Sequence, residues 1–470
     1  MNLTLEQYIK GIDKGKLDAT EVVNYYLNKA KKENPKYNCF VRFHEDYVKN
    51  NIESFKSRQL KSAPIGIKDI IFTKDLISSC GSKMLENYVS PYSATCFENL
   101  EKNGGMMIGK TNMDEFAMGS STENSYFGPT INNHGENLVP GGSSGGSTVA
   151  VSADFCIAAL GTDTGGSIRQ PSALCGIVGM KPTYGMVSRY GVQSMASSLD
   201  QVGTITKTVA DAQILLQAIA GFDPKDSQSD KRADNFKINN NAEKKIKIAI
   251  PKEVLGEGLD EKIKERFLET VEKLRKKDFE IDEISIPLLS YSIPIYYILM
   301  PAEVSTNLAR FDGIKFGLQE GTMNFDNIQK YYEKIRSEGF GDETKRRILL
   351  GTFVLSSANY EGYYLKAQKA REKLKSDFDK LFTKYDIILT PTSPEPAWKI
   401  GERTNDPLKM YLADIYTVPA NIAGLPAMSV PIGNIEKDNQ SLPVGIQIMA
   451  NKREENKIFE LGKIIEEIGN

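Results

Sequence analysis

Two glycine–serine loops hold the residues with the most chemical potential. The first is Gly141-Gly142-Ser143-Ser144-Gly145-Gly146-Ser147, and the second is Thr164-Gly165-Gly166-Ser167, followed by Ile168-Arg169. Glycine lets the backbone come close to a ligand, and the N–H groups of such a loop can hold a phosphate or a developing oxyanion. The phosphate option fails on spelling, because Ser147 stands where a P-loop needs lysine. Asp163-Thr164-Gly165 spells the aspartic-protease triplet, but it occurs once, and that chemistry needs two carboxylates sharing a proton. A serine nucleophile remains, and it needs a base. Only two histidines exist, His44 in RFHED and His134 in NNHGEN. Both read as solvated surface residues, and no G-x-S-x-G elbow accompanies them. The cysteine routes also fail. Asn2 occupies the place of an N-terminal cysteine, and Cys175 in ALCGIVG reads as a small buried apolar residue. Lys68 is left, between Ile67 and Ile70 in PIGIKDIIF. If buried it becomes a base: a fall from ~10.4 to ~7 corresponds to ~4–5 kcal/mol against the charged form. A lysine at a sheet edge reaching solvent is the alternative for this segment.

Elements must position these groups. The N-terminal stretch reads as helices ending near Pro35, and Ala63–Phe72 as a short apolar strand with Lys68 in its middle. Residues 103–128 are small and glycine-rich. From Pro140 to Gly185 the pattern is loop, helix, buried strand at Phe155–Leu160, loop and helix. Residues 223–245 are polar and read as a surface linker. Ile246–Ile250 and Phe279–Ile286 read as strands around a helix whose face is Ile263, Phe267, Val271 and Leu274, a βαβ unit. Helices are expected over 343–384 and Lys452–Ile468, with strands or turns at Asp386–Thr390, GLPAMSVPIG and LPVGIQIMA. This alternation predicts an α/β fold: a single large domain, a mixed sheet covered by helices on both faces.

Composition narrows the class. The 470 residues carry 59 basic and 61 acidic side chains, a net charge of −2, which gives no support for a broadly basic nucleic-acid surface. Five cysteines without a C-x-x-C pair argue against a disulfide framework or a thiolate zinc site and fit a cytoplasmic location. No metal site is expected. The start lacks a signal-peptide pattern, and no apolar run is long enough to span a membrane.

GGSSGGS and GTDTGGSIRQPSALCGIVGMKPTYG, with Lys68 in GIKD, closely resemble the amidase signature family. The resemblance covers essentially the whole chain. It implies a Ser–cis-Ser–Lys triad in which Ser167 is the nucleophile, Ser143 the bridging serine on a cis peptide bond, and Lys68 the base. The backbone of Thr164, Gly165, Gly166 and Ser167 would form the oxyanion hole. NMDEFAMGSSTE, RSEGFGDETKRRILLGTF and DPLKMYLADIYTVPANIAGLP resemble the glutaminase subunits of tRNA-dependent amidotransferases. That likeness implies glutamine recognition by Tyr296, Arg347 and Asp414, with the adjacent Tyr297 and Arg346 as rivals for the first two roles. Arginine can hold the α-carboxylate bidentately, and aspartate can accept from the α-ammonium. It further implies B and C partner subunits in a heterotrimer. ATP and Mg are used by the partner, charged tRNA is bound mainly by B, and ammonia converts Glu-tRNA(Gln) to Gln-tRNA(Gln). On this likeness the chain divides into N-terminal helices (1–60), a catalytic core (about 61–220), the linker and a substrate-recognition part (about 246–470). A stand-alone amidase acting on other amides and a non-catalytic scaffold are the competing expectations.

Overall fold

Short apolar runs bounded by glycine, proline or polar residues form the strands, as their length and β-branched content dictate. The computed structural model describes residues 1–236, 246–319 and 327–469. Among these, the strands are β1 (Phe40–Phe43), β2 (Ala63–Lys68), β3 (Gly105–Thr111), β4 (Ala158–Asp163), β5 (Val178–Lys181), β6 (Gln201–Thr206), β7 (Lys247–Pro251), β8 (Glu280–Ile284), β9 (Ile387–Pro391), β10 (Ala427–Lys437) and β11 (Gln440–Ala450). They form one sheet in the order β1-β3-β2-β4-β6-β5-β10-β11-β9-β7-β8. Pairing is mixed. β2 runs parallel to both β3 and β4, and β7 is parallel to β8 and β9. The β10–β11 hairpin is antiparallel and pairs with β5 on one side and β9 on the other.

Both sheet faces are covered, which is why the central strands are apolar on both sides. Side chains alternate along β3: Met106 and Ile108 join a cluster with Val149 and Val151 of the helix Gly145–Ser152, while Met107 joins the larger core. β4 does the same, with Ala159 on the first face and Ala158 and Leu160 on the second. The helix Glu261–Lys276 starts on Asp260, whose carboxylate accepts from Lys262 and Ile263 N–H, and buries Ile263, Phe267, Val271 and Leu274. It connects the parallel strands β7 and β8, as the sequence pattern predicts.

Several boundaries differ from the sequence expectation. Lys68 is the last residue of β2, not its middle, because the chain turns at Asp69. The buried strand lies three residues later than Phe155–Leu160, which brings Asp163 to its end. β3 forms inside the glycine-rich stretch 103–128, where its apolar run GMMIG is masked by small neighbours. The described part of the polar stretch, 223–236, is anchored and not a free linker: the Asp226 carboxylate pairs with Arg189 at 2.6 Å, and Asp223 accepts from Ser188 Oγ at 2.7 Å. Residues 237–245 lie outside the described residues.

Candidate active site

Three chain segments meet beyond the C-terminal ends of the parallel strands β2 and β4, the place where open α/β sheets offer a crevice. Lys68 ends β2 and is fully buried. Its Nζ lies 2.8 Å from Ser143 Oγ, 2.8 Å from Ser144 Oγ and 2.9 Å from Thr162 Oγ1, and donates to the Thr162 carbonyl at 3.3 Å. Burial pulls the Lys68 ammonium down to about 7, against the opposing pull of Asp114, Asp163 and Asp200. Two other lysines are as deeply buried and also lowered by burial: Lys110 to about 8 and Lys181 to about 7. A low pKa therefore does not single out a base. Contact does: Lys110 Nζ donates to the Ile71 carbonyl and Lys181 Nζ to the Leu425 carbonyl, and neither meets a serine.

Ser143 and Ser144 precede the helix Gly145–Ser152, and the Gly142–Ser143 peptide bond is cis. Gln170 holds this loop: its Oε1 accepts from Gly142 N–H at 3.1 Å, and its Nε2 donates to the Ser120 carbonyl at 3.0 Å. Ser167 sits in the turn between β4 and the helix Arg169–Leu174. Its carbonyl accepts from Ser144 N–H at 3.2 Å. Its side chain retains 8% exposure, and among the described residues its hydroxyl has no hydrogen-bond partner, Ser143 included. The two loops are thus joined through Ser144, while the Ser167 hydroxyl is free to turn. Among the described residues the N–H groups of Thr164, Gly165, Gly166 and Ser167 find no acceptor within the chain.

A buried ion pair fixes that turn. The Asp163 carboxylate takes a forked pair of bonds from Arg169, from Nε at 3.0 Å and Nη2 at 2.9 Å, and accepts from Ile168 N–H at 3.1 Å. Burial pushes the Asp163 carboxyl up, but the Arg169 guanidinium outweighs it and holds it down to about 2. Arg169 also donates to the Thr417 carbonyl, Gln447 Oε1 and Asn421 Oδ1. Neither this clamp nor the Ser144 and Thr162 contacts of Lys68 was expected from sequence. The signal lay in the D-T-G spelling and the arginine two residues past Ser167.

The recognition side chains come from the second half of the chain. Tyr296 lies on the helix Ser292–Asn307 and Arg347 on Asp342–Leu355. These helices come together at Gly351, where a methyl group would stand 1.9 Å from the Pro301 carbonyl. Tyr296 and Asp414 reach the Ser167 turn. A methyl on Gly165 would lie 2.8 Å from the Tyr296 hydroxyl, and one on Gly166 3.0 Å from Asp414 Oδ1. Gly166 also has φ +148°, so both space and backbone require glycine there. Tyr297 stacks on Tyr411 with ring centroids 3.8 Å apart, and both rings flank the Arg347 guanidinium. Arg347 is buried and bonded to Glu343, whereas its neighbour Arg346 is half exposed. Asp414 Oδ2 accepts from Ser120 Oγ at 2.5 Å, while Oδ1 is buried with no hydrogen-bond partner. Burial raises the Asp414 carboxyl to about 7. A cavity of about 610 Å³ runs past Arg347, Arg346, Tyr411, Ser121 and Glu115, and stops short of Ser167.

Both histidines depart from the surface expectation. His134 Nε2 lies 2.9 Å from the Cys175 carbonyl and 3.0 Å from Ser152 Oγ, and His44 Nε2 is buried without a partner. Burial lowers both, His44 to about 4. Neither touches a loop serine. Cys175 is buried, and desolvation pushes its thiol up to about 12. Among the described residues no group of three or more His, Cys, Asp or Glu is placed to hold a metal, and no helix is long and apolar enough to cross a membrane.

A buried lysine against two serines, beside a turn with unpartnered N–H groups, is equipped for acyl transfer, and sequence comparison supplies the family. The amidase family model matches residues 21–459, and the chain belongs to that family. It is 48% identical to the A subunit of glutamyl-tRNA(Gln) amidotransferase from Thermoanaerobacter pseudethanolicus, over 99% of this chain and 96% of that one. The crystal structure of the corresponding A subunit from Thermotoga maritima superposes with a TM-score of 0.79 at 40% identity, covering 97% of this chain and 93% of that one. A 6-aminohexanoate cyclic dimer hydrolase shares the fold alone: TM-score 0.84, 20% identity, 99% and 97% coverage.

Proposed function

We propose that this chain is the glutamine-hydrolysing component of a tRNA-dependent amidotransferase. The observation that carries the chemistry is the contact of a fully buried, near-neutral Lys68 with Ser143 Oγ at 2.8 Å. A neutral amine has two donors and one lone pair. Ser144 Oγ already donates to the Thr162 carbonyl at 3.1 Å, so it accepts from Nζ, and Thr162 takes the second N–H. The lone pair is then left for the Ser143 hydroxyl.

In this reading Ser167 Oγ attacks the side-chain amide carbon of glutamine. Its proton passes to Ser143 as the Ser143 proton passes to Lys68. The oxyanion takes up the unpartnered N–H groups of the Thr164–Ser167 turn, each well-placed donor contributing ~3–4 kcal/mol. The proton returns through Ser143 to the departing nitrogen, ammonia leaves, and water hydrolyses the ester on Ser167 to glutamate. Arg347 receives the α-carboxylate, and the unpartnered Asp414 Oδ1 and the Tyr296 hydroxyl receive the α-ammonium.

The identities with the A subunits of glutamyl-tRNA(Gln) amidotransferases support assembly with B and C subunits in the cytoplasm. There the ammonia would amidate Glu-tRNA(Gln), with ATP, Mg and most tRNA binding supplied by the partner. The net charge of −2 suits that division. The test is glutamate release from glutamine by the purified chain, alone and with B and C subunits, ATP and charged tRNA. Turnover that rises with the partners and vanishes in Ser167→Ala is expected. Efficient hydrolysis of aryl amides by the lone chain, with no turnover of glutamine, would overturn the proposal.

A further inference from the structure

Glu343 is the meeting point of the carboxylate end of the site. It lies in the first turn of the helix Asp342–Leu355, one turn before Arg347. Its Oε1 accepts from Arg347 Nε at 2.8 Å and from the Tyr411 hydroxyl at 3.1 Å, and its Oε2 accepts from Arg346. The rest of the Arg347 guanidinium is loosely engaged. Nη1 reaches only the Met300 thioether, at 3.8 Å, and among the described residues Nη2 has no partner. The Tyr297 and Tyr411 rings stand 5.5 and 5.6 Å from its central carbon.

A guanidinium offers two edges to a carboxylate: the side edge, Nε with Nη2, and the end, Nη1 with Nη2. Glu343 already occupies Nε, so a second carboxylate can dock only on the end. Two guanidinium groups face this one carboxylate, so the Glu343 charge is offset locally by Arg346 and Arg347. The helix start is fixed independently, because Glu115 Oε2 accepts from Gly341 N–H at 2.8 Å and from Thr344 Oγ1 at 2.5 Å. Losing Glu343 therefore frees the guanidinium without releasing the helix.

We infer that Glu343 is a positioning residue that aims Arg347 end-on at the α-carboxylate of the substrate and so sets the preference for an α-amino acid amide. This rests on the proposed glutamine reading. The experiment measures KM and kcat for glutamine with the assembled complex and the Glu343→Ala, Glu343→Met, Arg347→Ala and Glu343→Ala/Arg347→Ala variants, with thermal unfolding as a folding check. Glu343→Ala is expected to raise KM about tenfold or more with kcat changed less than about threefold, the split of a lost ground-state contact. Arg347→Ala is expected to do the same, and the double variant to add less than about threefold to Arg347→Ala alone, since the two act as one unit. A KM rise below threefold in Glu343→Ala while Arg347→Ala shows its effect overturns the inference alone, as does a multiplicative double variant. An unchanged KM in Arg347→Ala overturns the glutamine reading of Arg347 beneath it. Should Glu343→Ala fail to fold, the near-isosteric Glu343→Met, which keeps the length and removes both acceptor oxygens, decides by the same threefold limit.

Discussion

The sharpest consequence of the site is its response to acid. The proposed mechanism needs Lys68 neutral and Asp414 ionised, and burial brings both to about 7. For Lys68, lowered when folded, the reactive form is gained as pH rises through 7. For Asp414, raised when folded, the binding form is also gained as pH rises through 7. At pH 6 each group is about nine-tenths in the wrong form, so kcat/KM is expected about 100-fold below its alkaline plateau. One group alone would give about tenfold. Below pH 6 the curve flattens, because Asp114 and Asp200, raised by burial to about 6, become neutral and stop favouring the Lys68 ammonium. The assay is initial-rate glutamate release by the complex between pH 6 and 9, for the native protein and Asp414→Asn. The variant should lose plateau activity and keep only the tenfold slope of Lys68. A fall of less than threefold between pH 8.5 and 6 in the native protein would refute titration of Lys68 and Asp414 near 7. The same lowered Lys68 makes the unfolded chain bind the extra proton between about 7 and 10.4, so folding stability should rise with pH across that window, by ~4–5 kcal/mol from this group.

Ser143→Ala removes the hydroxyl that the proposed mechanism places between Ser167 and Lys68 and should cut kcat by about 10⁴-fold or more, with KM little changed, in steady-state glutaminase assays. Asp163→Asn leaves the Arg169 guanidinium buried without its counter-charge, and chemical unfolding should show a loss of about 3–5 kcal/mol. All five cysteines are buried, so iodoacetamide under native conditions should leave glutaminase activity within about twofold, checked by mass spectrometry for unmodified thiols.

Much of this site could be read from residue types. A lysine flanked by isoleucines left two readings, a buried base or an edge lysine reaching solvent; the two glycine–serine loops suggested close backbone approach, and the family resemblance implied the roles. What stayed hidden depends on distance across the fold. Lys110 and Lys181 sit in apolar runs that look like that of Lys68, and only tertiary contact with serine separates them. The Asp163–Arg169 clamp takes its remaining partners from Thr417, Asn421 and Gln447, which no local pattern links to Ser167. The adjacent pairs Tyr296/Tyr297 and Arg346/Arg347 could not be told apart in sequence, since neighbouring residues on a helix point about 100° apart and only packing gives them different surroundings. The histidines misled because polar loop sequences can still fold inward when a carbonyl such as that of Cys175 receives the ring.

The reach of Arg169 also has a bearing on synthesis. Its bond to Gln447 spans 278 residues. At ~5–20 residues per second, a ribosome takes roughly a quarter of a minute to a minute to make that interval. Until its end the turn that carries Ser167 lacks the Gln447 anchor, so Lys68, Ser143 and Ser167 are made long before Arg169 has all its partners. The last of these anchors to Arg169, Gln447, arrives only with β11, when little of the polypeptide remains to be made.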